Sequence, residues 1–336
     1  MERDYSVSLT RVVATLFIVI CHLGSHFNSI LVGQFFNVGV PIFFLISGYL
    51  YGDKKINNVG DFLFKRYVRL EIPALLWLSI TCISSFAKKK SFQNTHEVVF
   101  LLLNLQGLGF IFTRMQNLFI GPWFFTCIMF CYVLLVILRR IELKHSNIQI
   151  VTNKGGLLFL LVFCMLGLIH INISGALGFF IGLALKHYHL IDCPKKKSIF
   201  NYILFFLFAV SIRLLTKRML DGSVFYDEII VPLTHIILAV ALFASIKWMF
   251  EITPRIMNRI ASSKILQHLD RISVYAYISH DMLISGVLLS LFQLSISIYL
   301  SIPLYFVAVV ILATALCFIG EFLTDVIDKT KIWLIG

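Results

Sequence analysis

RVVATLFIVICH, residues 11 to 22, decides how this chain is built. Between its arginine and its histidine stand ten residues, nine of them apolar and the tenth Thr15. Such a run suits lipid, yet an ionisable group closes each end. The rest of the chain extends the lipid reading. Its 336 residues are 59% hydrophobic and include 32 phenylalanines, and the mean hydropathy is +0.90. A soluble domain keeps a largely polar surface, so this composition excludes one. Apolar runs recur at 9–29, 35–51, 70–87, 121–138, 156–172, 174–188, 199–215, 229–250, 272–293 and 298–320. Most approach the length that crosses a bilayer core of ~30 Å. Backbone polar groups in hydrocarbon need internal partners, so the spans are expected to be helices. The expected fold is all-α, a polytopic membrane protein of about ten transmembrane helices, with residues 1–336 forming one integral-membrane domain.

A further run at 98–112 (VVFLLLNLQGLGFIF) is short and contains Asn104, Gln106 and two glycines. Charge decides how to treat it. Ten spans with an inner N-terminus leave only Lys88, Lys89, Lys90, Arg114, Arg213, Lys217 and Arg218 outside, out of 29 Lys and Arg. If 98–112 also crossed, the later sides would swap and most cations would lie outside. The positive-inside rule therefore favours ten spans, both termini cytoplasmic, and 98–112 as a re-entrant or interfacial segment. The net charge of +12 follows from cytoplasmic loop bias and attraction to anionic lipid, and calls for no nucleic acid. The first span lacks a small-residue cleavage site after its apolar region, so it is expected to stay uncleaved. Six of the seven cysteines lie in spans and Cys193 in a cytoplasmic loop, as apolar filler and not a disulfide framework.

Arg11 and His22 are eleven residues apart, about three turns plus 20°, so they share one helix face ~16 Å apart along the axis. Arg11 lies at the cytoplasmic edge and His22 past the midplane. Arg11 reads equally as a snorkelling anchor or as a functional cation. His22, ionisable at depth, reads as functional more than as a bridge between helices. A second signal is KRYVRLEIPALLW, residues 65 to 77. Arg66 and Arg69 share a face, and paired guanidiniums suit a polyphosphate, although positive-inside anchoring alone would also place them there. A third is VYAYISHDML, residues 274 to 283, with His280 and Asp281 inside an apolar span as a packing pair or a site. Glu321 and Asp325 read as solvated. His22 and His26 have a ligand-like spacing without an HExxH glutamate, so no metal is expected. Gly178 and Gly182 read as helix packing, and His235, after Pro232, as a partner for freed backbone groups.

With these residues in place, the chain resembles the acyltransferase family 3 membrane proteins, which O-acylate bacterial surface carbohydrates. The family's R-x10-H first helix is matched by Arg11, Ala14 and His22. Its F-F-x-x-S-G pattern is matched by FFLISGY with Ser47 and Gly48. Its R-x-x-R and following L-x-x-P are matched by Arg66, Arg69, Leu70 and Pro73, its W-F pair by Trp123 and Phe124, and its S-x-x-x-Y-x-x-H run by Ser273, Tyr277 and His280. Order and spacing agree over nearly the full length. Two departures touch the hydrogen bonding of Arg11: Ser8 stands where an acidic residue is usual, and Val12 where glycine is usual.

The resemblance implies a membrane O-acetyltransferase in the bacterial cytoplasmic membrane, moving an acyl group from cytoplasmic acyl-CoA, acetyl-CoA first, to a hydroxyl of a surface glycan or its lipid-linked precursor. It implies acyl-CoA phosphates at Arg66 and Arg69 with Arg11 at the mouth, and His22 as general base. Ser47, Trp123, Tyr277 and His280 are expected to support the site or hold substrate. Acetyl-CoA is a co-substrate and no resident cofactor is expected; the partners are acyl-CoA, a lipid-linked or polymeric carbohydrate acceptor, and membrane lipid. The alternative is a multi-span transporter or flippase of a lipid-linked glycan or small solute, which would favour inverted repeats that this sequence does not display.

Overall fold

The computed structural model describes residues 4–27, 30–54, 56–87, 99, 103–105, 123–144, 156, 174–191, 199–220, 223, 226, 230–284 and 297–335. The 156–172 span (apart from 156), most of the 98–112 run and the end of the 272–293 span lie outside the described residues. Regular structure among the described residues is helical throughout. In chain order the helices are α1 Tyr5–His26, α2 Ile30–Phe36, α3 Gly39–Tyr49, α4 Val59–Ala87, α5 Trp123–Lys144 and α6 Ser174–His187. They continue with α7 Ile199–Leu220, α8 Val231–Ile252, α9 Pro254–Ala261, α10 Lys264–Leu283 and α11 Ile298–Ile335.

Among the described residues, four helical stretches are long and apolar enough to cross a membrane: Tyr5–His26, Trp123–Lys144, Val231–Ile252 and Tyr299–Thr330. Gly39–Tyr49 and Gly175–His187 are apolar but shorter. One expected span is shorter in the structure for a physical reason. The 35–51 run is broken at Asn37 and Val38, which leaves α3 with 11 residues, about 16 Å of helix. Helix α4 carries Lys65, Arg66 and Arg69 just ahead of the expected 70–87 span, and α10 carries Asp270 and Arg271 just ahead of the expected 272–293 span. Those charges gather at one cavity, described below.

Helix α1 starts where Asp4 caps it, its carboxylate accepting from the backbone N–H of Ser6 at 3.0 Å and of Val7 at 3.4 Å. An anionic cap complements the positive helix end. Lipid tails are as apolar as side chains, so these helices associate through close packing and not through escape from water. The closest packing is between α3 and α6. A Cβ on Gly48 would lie 1.7 Å from the Phe179 carbonyl oxygen, and one on Gly182 would lie 1.9 Å from that of Leu45. Each backbone therefore sits directly on the other, and Gly182 is a helix-packing glycine as the sequence suggested, whereas a Cβ on Gly178 would have its nearest neighbour at 3.6 Å. Phenylalanines fill the space around this crossing. Phe44 meets Phe124 edge-on at 5.0 Å, and Phe179 meets Phe180 at 5.5 Å, contacts worth ~0.5–1.5 kcal/mol each beyond area.

Helix α1 packs on α10, α3 and α8, and α10 packs on α11 and α4. Helices α1 and α10 run parallel, because Arg11 meets Asp270 in their first halves and His22 meets His280 near their C-terminal ends. Helix α5 runs the opposite way: Phe124, at its start, touches Tyr277, and Arg139, near its end, donates to the Gly52 carbonyl. Helix α7 packs chiefly on α8 and exposes Phe200, Leu204, Leu207 and Phe208. Helix α11 likewise exposes Ile311, Phe318 and Phe322. Such outward apolar faces belong in hydrocarbon.

Candidate functional site

Four helices, α1, α4, α10 and α11, line a cavity of about 1090 Å³ at one end of the bundle, slightly larger than the ~300–1,000 Å³ typical of small-molecule sites. Its lining includes Arg11, Lys65, Arg66, Arg69, Lys264 and Arg271, with Asp4, Asp270, Glu321 and Asp328 among them. Most of these charges answer one another. Arg11 donates to Asp270 at 2.5 Å. Arg271 forms a two-pronged pair with Glu321, and Lys65 pairs with Asp61 one turn back at 2.8 Å. Glu321, expected to be merely solvated, is thus a member of this wall. Asp270 supplies Arg11 with a carboxylate from another helix, where Ser8 offers none.

Among the described residues no carboxylate pairs with Arg66 or Arg69. Aromatic rings hold the Arg66 guanidinium instead: Tyr51 at 5.3 Å, Phe62 at 5.6 Å and Tyr132 at 6.0 Å from the ring centroids. Its Nε is buried without a hydrogen bond. The Ser47 side chain lies beside that of Tyr132, so the serine of the FFLISGY stretch backs this aromatic cage from α3. Arg69 opens onto the cavity. Burial among the surrounding helices, then the like charges of Arg11 and Arg66, lower its affinity for its proton. Three guanidiniums crowded together in this way favour an anion between them. Pro73, also in the wall, has no N–H to give the Arg69 carbonyl four residues earlier.

At the other end of the α1–α10 pair, the His22 and His280 rings meet edge to face, centroids 4.6 Å apart. His280 is 2% exposed, and neither of its ring nitrogens has a hydrogen bond. His22 is exposed. An open imidazole therefore rests against a buried one. Tyr277 lies 6.0 Å from His280, centroid to centroid, and Phe124 lies 5.6 Å from Tyr277. The Tyr305 hydroxyl donates to the His280 carbonyl at 3.0 Å, fixing this part of α10 against α11. Trp123, one residue before Phe124, is half-buried on the main core. His26 is exposed one turn beyond His22, and no three His, Cys, Asp or Glu side chains gather to hold a metal among the described residues.

The predicted residues therefore fall into two groups. Arg11, Arg66 and Arg69 line one cavity; His22, Tyr277 and His280 stand together farther along the same helix pair. Ser47 belongs to the wall behind Arg66. The sequence reading missed Asp270, Arg271 and the Tyr51–Phe62–Tyr132 cage. Asp270–Arg271 carries a usable signal, because adjacent opposite charges at the mouth of an apolar span seek partners on neighbouring helices.

A family profile described as an acyltransferase domain, that of acyltransferase family 3, matches residues 4–321. No curated protein and no solved structure matched the chain. The match spans nearly the whole sequence, and the chain belongs to this acyltransferase family, as a helical membrane protein.

Proposed function

We propose that this membrane acyltransferase is an O-acetyltransferase that takes its acyl group from acetyl-CoA and transfers it to a hydroxyl of a cell-surface glycan or its lipid-linked precursor. The observation that carries the reading is Arg66 and Arg69, without acidic partners, on the wall of a cavity that two parallel helices join to a histidine pair. Guanidiniums match phosphate in shape and charge, so the nucleotide and pyrophosphate of the donor rest in the cavity, with Arg11 at its side. The pantetheine arm follows α1 and α10 toward His22.

At the histidine pair, a ring nitrogen of His22 takes the proton of the acceptor hydroxyl as its oxygen attacks the thioester carbonyl carbon. The carbon–sulfur bond breaks, the CoA thiolate leaves, and the imidazolium returns the proton to sulfur. The products are an O-acetyl ester and CoA. Imidazole is the side chain whose proton exchange suits this chemistry near neutral pH. His280, packed against His22, fixes the orientation of that ring. Exposure of His22 suits an acceptor arriving from its side, and Trp123, near that end, offers an apolar face to a sugar.

The parallel course of α1 and α10 supports an arrangement of ten crossings with both termini cytoplasmic, since an eleventh crossing at 98–112 would oppose them. That arrangement puts the arginine cavity on the cytoplasmic side of a bacterial cell membrane, where acyl-CoA is present. The test is acetyl-CoA binding and its hydrolysis to acetate and CoA, water standing in for the acceptor hydroxyl, by the purified protein in wild type, His22→Ala and Arg66→Ala/Arg69→Ala. Wild type binds and turns over, the arginine variant loses binding, and the histidine variant binds without turnover. Failure of wild type to bind any acyl-CoA would overturn the assignment.

A further inference from the structure

A narrow apolar neck lies between the arginine cavity and the histidine pair. Ile18 and Val40, Phe43 and Phe124, and Val274 and Tyr277 line it. Val274 also lines the arginine cavity, and Tyr277 touches His280. Ile18 stands one turn before His22 on α1. A group passing from the arginines to the histidines along the face of α1 and α10 that carries Ile18, Val274 and Tyr277 meets this neck. Its free volume is about 10 Å³, room for no more than about one water. No charged side chain lines it.

We infer that the neck formed by Ile18, Phe43, Phe124, Val274 and Tyr277 is a gate that admits small, unbranched, uncharged acyl groups to His22 and turns away branched or anionic ones. The inference rests on the acyl-CoA reading above and sharpens it to a class of donor. The acyl group leads the pantetheine arm, so it meets the neck first. The neck opens by rotation of ring side chains, and a wider group needs a wider rotation in a packed aromatic wall. A carboxylate, as in a succinyl group, enters surroundings with no cation to receive it. One methylene of misfit in a tight apolar pocket changes selectivity by about 10–200-fold. The neck also separates recognition from admission, because the CoA portion, common to all acyl donors, is bound in the cavity outside it.

The experiment compares acetyl-, isobutyryl- and succinyl-CoA with the purified full chain, measuring competition for the cavity against labelled CoA and, separately, CoA release by hydrolysis, with water as the acyl acceptor. All three compete alike. Wild type releases CoA from isobutyryl-CoA at least about 10-fold more slowly than from acetyl-CoA, and from succinyl-CoA more slowly still. Phe124→Ala narrows the isobutyryl-to-acetyl gap by about 10-fold, and the milder Val274→Ala narrows it less. The ratio is internal to each protein, so partial loss of folded material does not alter it; should Phe124→Ala not fold, Val274→Ala decides. Equal turnover of succinyl- and acetyl-CoA by wild type, or an unchanged ratio in the variants, would overturn the gate and leave the acyltransferase reading standing. Failure of all three to bind would remove the donor assignment and the gate with it.

Discussion

The two ends of the α1–α10 pair differ in almost every physical respect. The arginine end is wide, lined by charges and braced by ion pairs from four helices. The histidine end holds two imidazoles in direct contact, one open and one buried without a hydrogen bond. The first arrangement suits tight, charge-dependent capture; the second suits proton movement at one atom. Division of labour along a single pair of helices means that affinity and turnover should be separable by mutation.

The largest separation is expected for His22→Ala, which lowers turnover by about 10²–10⁴-fold with acetyl-CoA affinity unchanged, as titration beside a rate assay will show. A parallel loss of affinity would break the comparison. Arg66→Ala and Arg69→Ala each weaken acetyl-CoA binding by about 10–100-fold, from ~1.5–3 kcal/mol per hydrogen bond to a charged group, with turnover at saturation nearly kept. Gly48→Ala is the control that belongs to neither end. Its Cβ would strike the Phe179 carbonyl, and about 1–3 kcal/mol of overpacking should appear as a lower melting temperature in detergent for both functions together. Asp270→Asn releases Arg11 from a carboxylate that is only 5% exposed; it should tighten acetyl-CoA binding by freeing the guanidinium for phosphate, and lower the melting temperature in detergent because a buried pair is broken. Raising salt from about 0.1 M to about 1 M shortens the Debye length from ~10 Å to ~3 Å, so it should weaken binding modestly and leave saturated turnover alone.

What the sequence disclosed follows the range of the interaction involved. The shared face of Arg11 and His22 was legible because helical geometry over eleven residues is local. The R-x-x-R pair was legible for the same reason. The partner of Arg11 was not, because Asp270 lies 259 residues away and only the packing of α1 on α10 brings it near. The cage around Arg66 draws on a loop residue, Tyr51, on Phe62 of α4 and on Tyr132 of α5, and no spacing rule connects them. The break at Asn37 and Val38 was invisible because hydropathy stays high on both sides of it. Gly48 read as part of a motif, whereas its place in the fold is a steric one against Phe179 that only the crossing of α3 and α6 reveals.

The parallel course of α1 and α10 has one more consequence. Helical rise sets the distance from Arg11 to His22 at ~16 Å, and the ion pair below and the ring contact above hold both helices to that measure. The pair is a ruler cut to a donor whose reactive carbon hangs on a long arm away from its phosphates. Acetyl phosphate, whose acyl group adjoins its phosphate, is too short for it: anchored at the arginines, its carbonyl stops well short of the imidazole.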